Sequence, residues 1–126
     1  MRLVVAACAL ALAALAGCDD CPAVLSYEEI NEVEIQVRTE LQSVAVTLAD
    51  CRSDNECINQ YVDADCIQGC CVPINRANVA RYLVEQAKTA TKYCPGGGSS
   101  CPQMMSTGDC WCSEVRCDNG KCIIPH

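Results

Sequence analysis

The sequence predicts a small disulfide-rich α+β domain in which two helices are stapled to a short antiparallel sheet with a C-terminal hairpin. Three observations predict it. Cysteine supplies 14 of the 126 residues while Phe is absent and Trp occurs once, so cross-links rather than large aromatic rings must hold the interior. Two stretches, 26–48 and 76–92, repeat apolar residues at helical spacing. Near the end, Asn119-Gly120 is a strong type I′ hairpin signal. The chain divides into residues 1–17, a short tether of 18–25, and the cysteine-rich domain of 26–126.

The first element stands outside that domain. Arg2 precedes a 14-residue run, Leu3 to Ala16, made only of Leu, Val, Ala and Cys8. A membrane-spanning helix needs about 20 apolar residues, so the run reads as the apolar part of an export signal. Leu15-Ala16-Gly17-Cys18 resembles the lipobox of bacterial lipoproteins, position for position. The resemblance implies that a lipoprotein signal peptidase recognises Leu15, Ala16 and Gly17 and cleaves before Cys18, which carries the lipid. Cysteine parity agrees: Cys8 leaves, Cys18 is acylated, and an even 12 remain. Two acyl chains anchor a protein stably, at about 0.8 kcal/mol per buried CH₂. The expected location is the cell envelope, membrane-anchored on the periplasmic or outer surface. The acyl lipid on Cys18 is the one covalent group expected, with no other cofactor.

In the domain, Ser26-Tyr27-Glu28-Glu29 reads as a capping box. Ile30, Val33, Val37, Leu41, Val44 and Leu48 then form one helical face. Glutamates crowd the first half of this helix, where the dipole favours negative charge. Cys57 to Val62 alternates apolar and polar residues and predicts a strand. Asn75 or a neighbour caps a second helix over about 76–92, with Val79, Leu83, Ala87 and Ala90 on its expected buried side. Its Arg76, Arg81, Lys88 and Lys92 face an acidic first helix, which favours pairing of the two. Pro95 to Ser100 is a flexible loop, and 111–124 is the hairpin. Export favours bridges over free thiols, so Cys21, Cys51, Cys57, Cys66, Cys70, Cys71, Cys94, Cys101, Cys110, Cys112, Cys117 and Cys122 are all expected in disulfides. The two-residue turn sets Cys117 opposite Cys122 and suggests a Cys117–Cys122 bridge.

Charge and motifs narrow the function. Residues 19–65 hold 12 acids against Arg38 and Arg52, while 66–126 hold four acids against six bases. Nucleic acid is a poor partner for so acidic a chain. His126, at the end of the sequence, is the single histidine, and no nucleophile–base pattern accompanies it, so no catalytic residues are expected. Calcium ligation by Asp50, Asp54, Glu56, Asp63 and Asp65 lacks a recognised loop order. Zinc sites favour paired C-x₂₋₄-C elements; Cys66-x₃-Cys70 is one, but Cys110-Trp111-Cys112 makes no second, and no metal site is expected.

Cys51-Arg52-Ser53-Asp54-Asn55-Glu56-Cys57 resembles the C-x₂-D-x-E-C opening of whey-acidic-protein inhibitor domains, as does the Cys70-Cys71 pair. The extra Cys66 and the following helix depart from that pattern. The lipobox, the same C-x₂-D-x-E-C element and Val72-Pro73-Ile74-Asn75-Arg76 together resemble uncharacterised cysteine-rich bacterial lipoproteins. The expectation is a non-enzymatic, lipid-anchored binding or structural domain whose partners are the membrane and an envelope protein or ligand. The alternatives are a thiol–disulfide or metal-handling protein using Cys110 and Cys112, and a protease-inhibitor-like module presenting Thr107-Gly108-Asp109.

Overall fold

A computed structural model describes residues 26–64, 66–94 and 112–125. Helix α1 spans Tyr27–Thr47, strands β1 and β2 span Cys57–Ala64 and Ile67–Asn75, helix α2 spans Val79–Tyr93, and strands β3 and β4 span Arg116–Asp118 and Lys121–Ile123. The small disulfide-rich α+β class is as expected, and the described residues form two two-stranded antiparallel sheets, β1–β2 and β3–β4.

Helix α1 begins where the capping box places it. The Ser26 hydroxyl accepts from the Glu29 amide, and the Glu29 carboxylate accepts from the Ser26 amide at 2.7 Å. These contacts hold the Glu29 carboxyl below the usual carboxylate range, the backbone hydrogen bond contributing most. Val37, Leu41, Ala45 and Leu48 are buried, and Val33 and Val44 pack at their edges, so the predicted stripe is the helix's inner face.

Helix α2 departs from the expected face. Its buried residues are Tyr82, Gln86, Thr89 and Ala90, whereas Leu83 is 45% exposed and Ala87 also faces solvent. Turning the helix one position buries the ring of Tyr82, a larger apolar surface than Leu83, and keeps Val79, Ala90 and Tyr93 against the core. The helix follows a 3₁₀ turn at Arg76–Asn78, capped by Asn75, whose side chain accepts from the Ala77 amide at 2.8 Å.

Strand β2 is an element the sequence reading did not separate. It pairs with β1 from Cys57↔Asn75 to Tyr61↔Cys71, then shifts by one residue to Asp63↔Gln68. The extra residue lies on β2, where Gly69 (φ 100°) and Cys70 (φ 61°) take left-handed conformations and form a bulge. Side chains alternate across this sheet. Val62, Ala64, Ile67, Val72 and Ile74 pack into the main core with both helices, and Ile58 at its margin. Cys57 and Cys71 have the opposite parity. Cys57 joins a second apolar cluster with Ala49, Cys122, Cys51, Val115 and Cys117. The sheet is thus a middle layer, helices on one side and the C-terminal segment on the other.

Candidate functional site

The second cluster is where three parts of the chain meet. After α1, residues 49–51 run alongside β4: the Cys122 amide donates to the Ala49 carbonyl at 2.7 Å, the Cys51 amide donates to the Gly120 carbonyl at 3.0 Å, and Asp50 pairs with Lys121. Asp54 accepts from the Cys117 amide at 2.8 Å, and the Asn59 side chain donates to the Ser113 carbonyl. The Lys121 ammonium forms an ion pair with Asp50 and donates to the Val46 carbonyl at 3.1 Å. It thereby supplies positive charge at the carbonyl end of α1, whose last turn has no basic residue of its own.

Two bridges lock this junction, Cys51–Cys117 and Cys57–Cys122, with Cα separations of 5.9 and 5.5 Å. The hairpin register is the expected one, with Cys117 directly opposite Cys122. The suggested Cys117–Cys122 bridge is not formed. Both side chains leave the hairpin on one face, and that face lies against Cys51 and Cys57, so each sulfur bonds outward to a neighbouring segment. The Sγ atoms of Cys51, Cys57 and Cys122 all lie within 4.8 Å of one another. Cys57 and Cys122 are buried; Cys51 and Cys117 are half-buried. Sequence reasoning missed this four-sulfur arrangement, although Cys117-x₄-Cys122 across a tight turn falls within the spacing of metal-binding hairpins.

The other expected cysteines fall differently. Cys66 bridges to Cys94 and Cys71 to Cys112, and Cys70 is also disulfide-bonded. The pairing of Cys112 with Cys71 means that Cys110-x-Cys112 does not stand as a free dithiol. Leu15, Ala16, Gly17, Cys18, Cys21, Cys101, Cys110, Thr107-Gly108-Asp109 and His126 lie outside the described residues. Of the acidic residues considered for calcium, Asp50 is held by Lys121, Asp54 by the Cys117 amide, Glu56 by the Arg52 amide at 2.6 Å, and Asp63 by the Gln68 side chain at 3.1 Å. Each carboxylate already has a donor, and they are spread along loop and strand; Asp65 lies outside the described residues.

A concavity lies between the helices. It has a volume of about 500 Å³, with Val44, Leu48 and Val84 as its apolar part and Glu40, Arg81 and Glu85 among its polar lining. Glu40 accepts from Lys92 at 2.8 Å and from the Tyr93 hydroxyl at 2.7 Å, and Glu85 pairs with Lys88. The Lys92–Glu40 pair is the helix–helix pairing that opposite charges predicted, while Glu85–Lys88 lies within α2.

No family model, curated protein or solved structure matches this chain.

Proposed function

We propose that this chain is a lipid-anchored protein of the cell envelope whose folded part is a non-enzymatic binding or structural domain. The carrying observation is the combination of the Leu15-Ala16-Gly17-Cys18 motif with a domain cross-linked on both sides of its central sheet. Bridges such as Cys51–Cys117 and Cys66–Cys94 persist outside the reducing cytosol, the compartment to which an export signal delivers a chain. The described side chains sit in structural roles: Glu34 with Arg38, Glu40 with Lys92, Asp50 with Lys121.

Intact mass of the precursor expressed in a bacterium with the lipoprotein pathway tests this reading. One half of the membrane extract is alkylated without reduction. The expected product begins at acylated Cys18 and takes up no alkylating reagent. A chain without lipid defeats the anchor, and a hydrolytic activity abolished by one side-chain substitution defeats the non-enzymatic assignment.

A further inference from the structure

The junction between the end of α1, the start of β1 and the hairpin holds four sulfurs from two chain segments. We propose that, when the Cys51–Cys117 and Cys57–Cys122 bridges are reduced, Cys51, Cys57, Cys117 and Cys122 bind a soft divalent cation of the zinc and cadmium class as a tetrathiolate site. This inference is independent of the lipid anchor.

Distance is the first argument. Zinc–thiolate bonds are about 2.3 Å, so sulfurs around a tetrahedral ion stand about 3.8 Å apart. Three of the four sulfurs already lie within 4.8 Å of one another, and the fourth, on Cys117, is bonded to Cys51. Opening each bridge and rotating side chains moves the sulfurs toward tetrahedral spacing without moving the backbone segments apart. The second argument is that the segments are joined by more than sulfur. The Cys51-to-Gly120 and Cys122-to-Ala49 hydrogen bonds, the Cys117 amide on Asp54, and the Lys121–Asp50 pair involve no sulfur, so opening the bridges breaks none of them directly. Spacing is the third: Cys117-x₄-Cys122 straddles the Asn119-Gly120 turn, and Cys51-x₅-Cys57 faces it. Burial of Cys57 and Cys122 gives a dry site, while half-buried Cys51 and Cys117 give reductant and ion an entrance. Cys66–Cys94 and Cys71–Cys112 form no comparable cluster among the described residues.

The chemistry balances with a dithiol as reductant. Each bridge accepts two electrons and two protons to become two thiols, and the dithiol closes to a cyclic disulfide. A divalent ion then replaces four thiol protons, leaving a site of net charge −2. Reoxidation by two equivalents of a cyclic disulfide closes both bridges: each pair of thiolates passes two electrons to one disulfide, which takes up two protons to become a dithiol, and the ion is released, so the bridges act as its gate.

The test uses the full chain in detergent, reduced under argon, freed of reductant and titrated with Co²⁺ and then Zn²⁺. One cobalt per chain with sulfur-to-cobalt charge-transfer and tetrahedral visible bands is expected, with displacement by zinc. Cys122→Ala should weaken cobalt binding at least 100-fold, Cys122→His should restore it with altered visible bands, and Cys66→Ser with Cys94→Ser should leave it unchanged. Absence of thiolate bands in the reduced wild-type chain overturns the proposal. So do bands that persist unchanged in Cys122→Ala, since any of the chain's other thiols would then be responsible.

Discussion

Glu40 accepts hydrogen bonds from both Lys92 and Tyr93, so one carboxylate on α1 meets two donors on α2. The Lys92 contact is the main cause holding its carboxyl below the usual range, and the same contact pushes Lys92 up to about 12. A depressed carboxyl contributes stability above the unfolded value of about 4.3, lost as pH falls through its folded value. The raised ammonium contributes fully below about 10.4, and its share is lost as pH rises through about 12. Glu40→Gln should flatten the stability–pH curve at both limbs, as urea midpoints will report; unchanged limbs would refute the coupling. Tyr82 gives the opposite kind of site. Its side chain is fully buried, its hydroxyl meets no partner among the described residues, and desolvation raises its pKa to about 12. Tyr82→Phe removes an unsatisfied group and should stabilise the fold by about 1 kcal/mol, while abolishing any loss of stability above pH 10 due to this phenol. At this scale the capping box at Ser26 was legible because its pattern is local. The double use of Asn75, which caps the next turn and donates to the Asp50 carbonyl, was legible only in its first half, since Asp50 is distant in sequence.

Among elements, α1 was readable from its stripe because six apolar residues keep one face through the whole helix. In α2 the apolar residues occupy two overlapping faces, and periodicity alone does not choose between Leu83 and Tyr82; packing against α1 and β1 does. A pair of substitutions measures this choice. Leu41→Ala, at a fully buried site, should cost about 2–5 kcal/mol, whereas Leu83→Ala should stay within about 0.5 kcal/mol, both by thermal or urea unfolding. Equal costs would place α2 the other way round. Strand β2 escaped the reading because Gly69, the adjacent cysteines and Pro73 interrupt alternation, and only the pairing with β1 shows where the bulge absorbs the extra residue.

At the scale of the whole molecule, two bridges close nearly the same loop, with sequence separations of 66 and 65. Once one is closed, the other closes only a ring of about a dozen residues. Removing either pair alone should therefore cost about 3 kcal/mol, and removing both about 7 kcal/mol, in the chain-entropy account. Additive losses from denaturant midpoints would contradict it. The hairpin's position and register were legible from Asn119-Gly120, but its bridges were not. A turn sets which side chains share a face, while the partner of each sulfur depends on the surface that face meets.

The Leu48 carbonyl accepts from both the Asn75 amide and the Asn78 side chain, and Cys51 and Cys57 follow close behind. This arrangement imposes an order of maturation on a chain made from its N-terminus. Helices and β1–β2 can assemble as soon as residue 94 is available, and Cys66–Cys94 can close then. Cys51 and Cys57 must wait for Cys117 and Cys122, holding two thiols within one short stretch that invites a premature mutual bridge. Acid-quenched refolding mapped by mass should show Cys66–Cys94 first and a transient Cys51–Cys57 species, which a disulfide isomerase shortens. The β3–β4 hairpin is thus the clasp of the molecule: a piece made after both helices and the first sheet decides whether they stay closed.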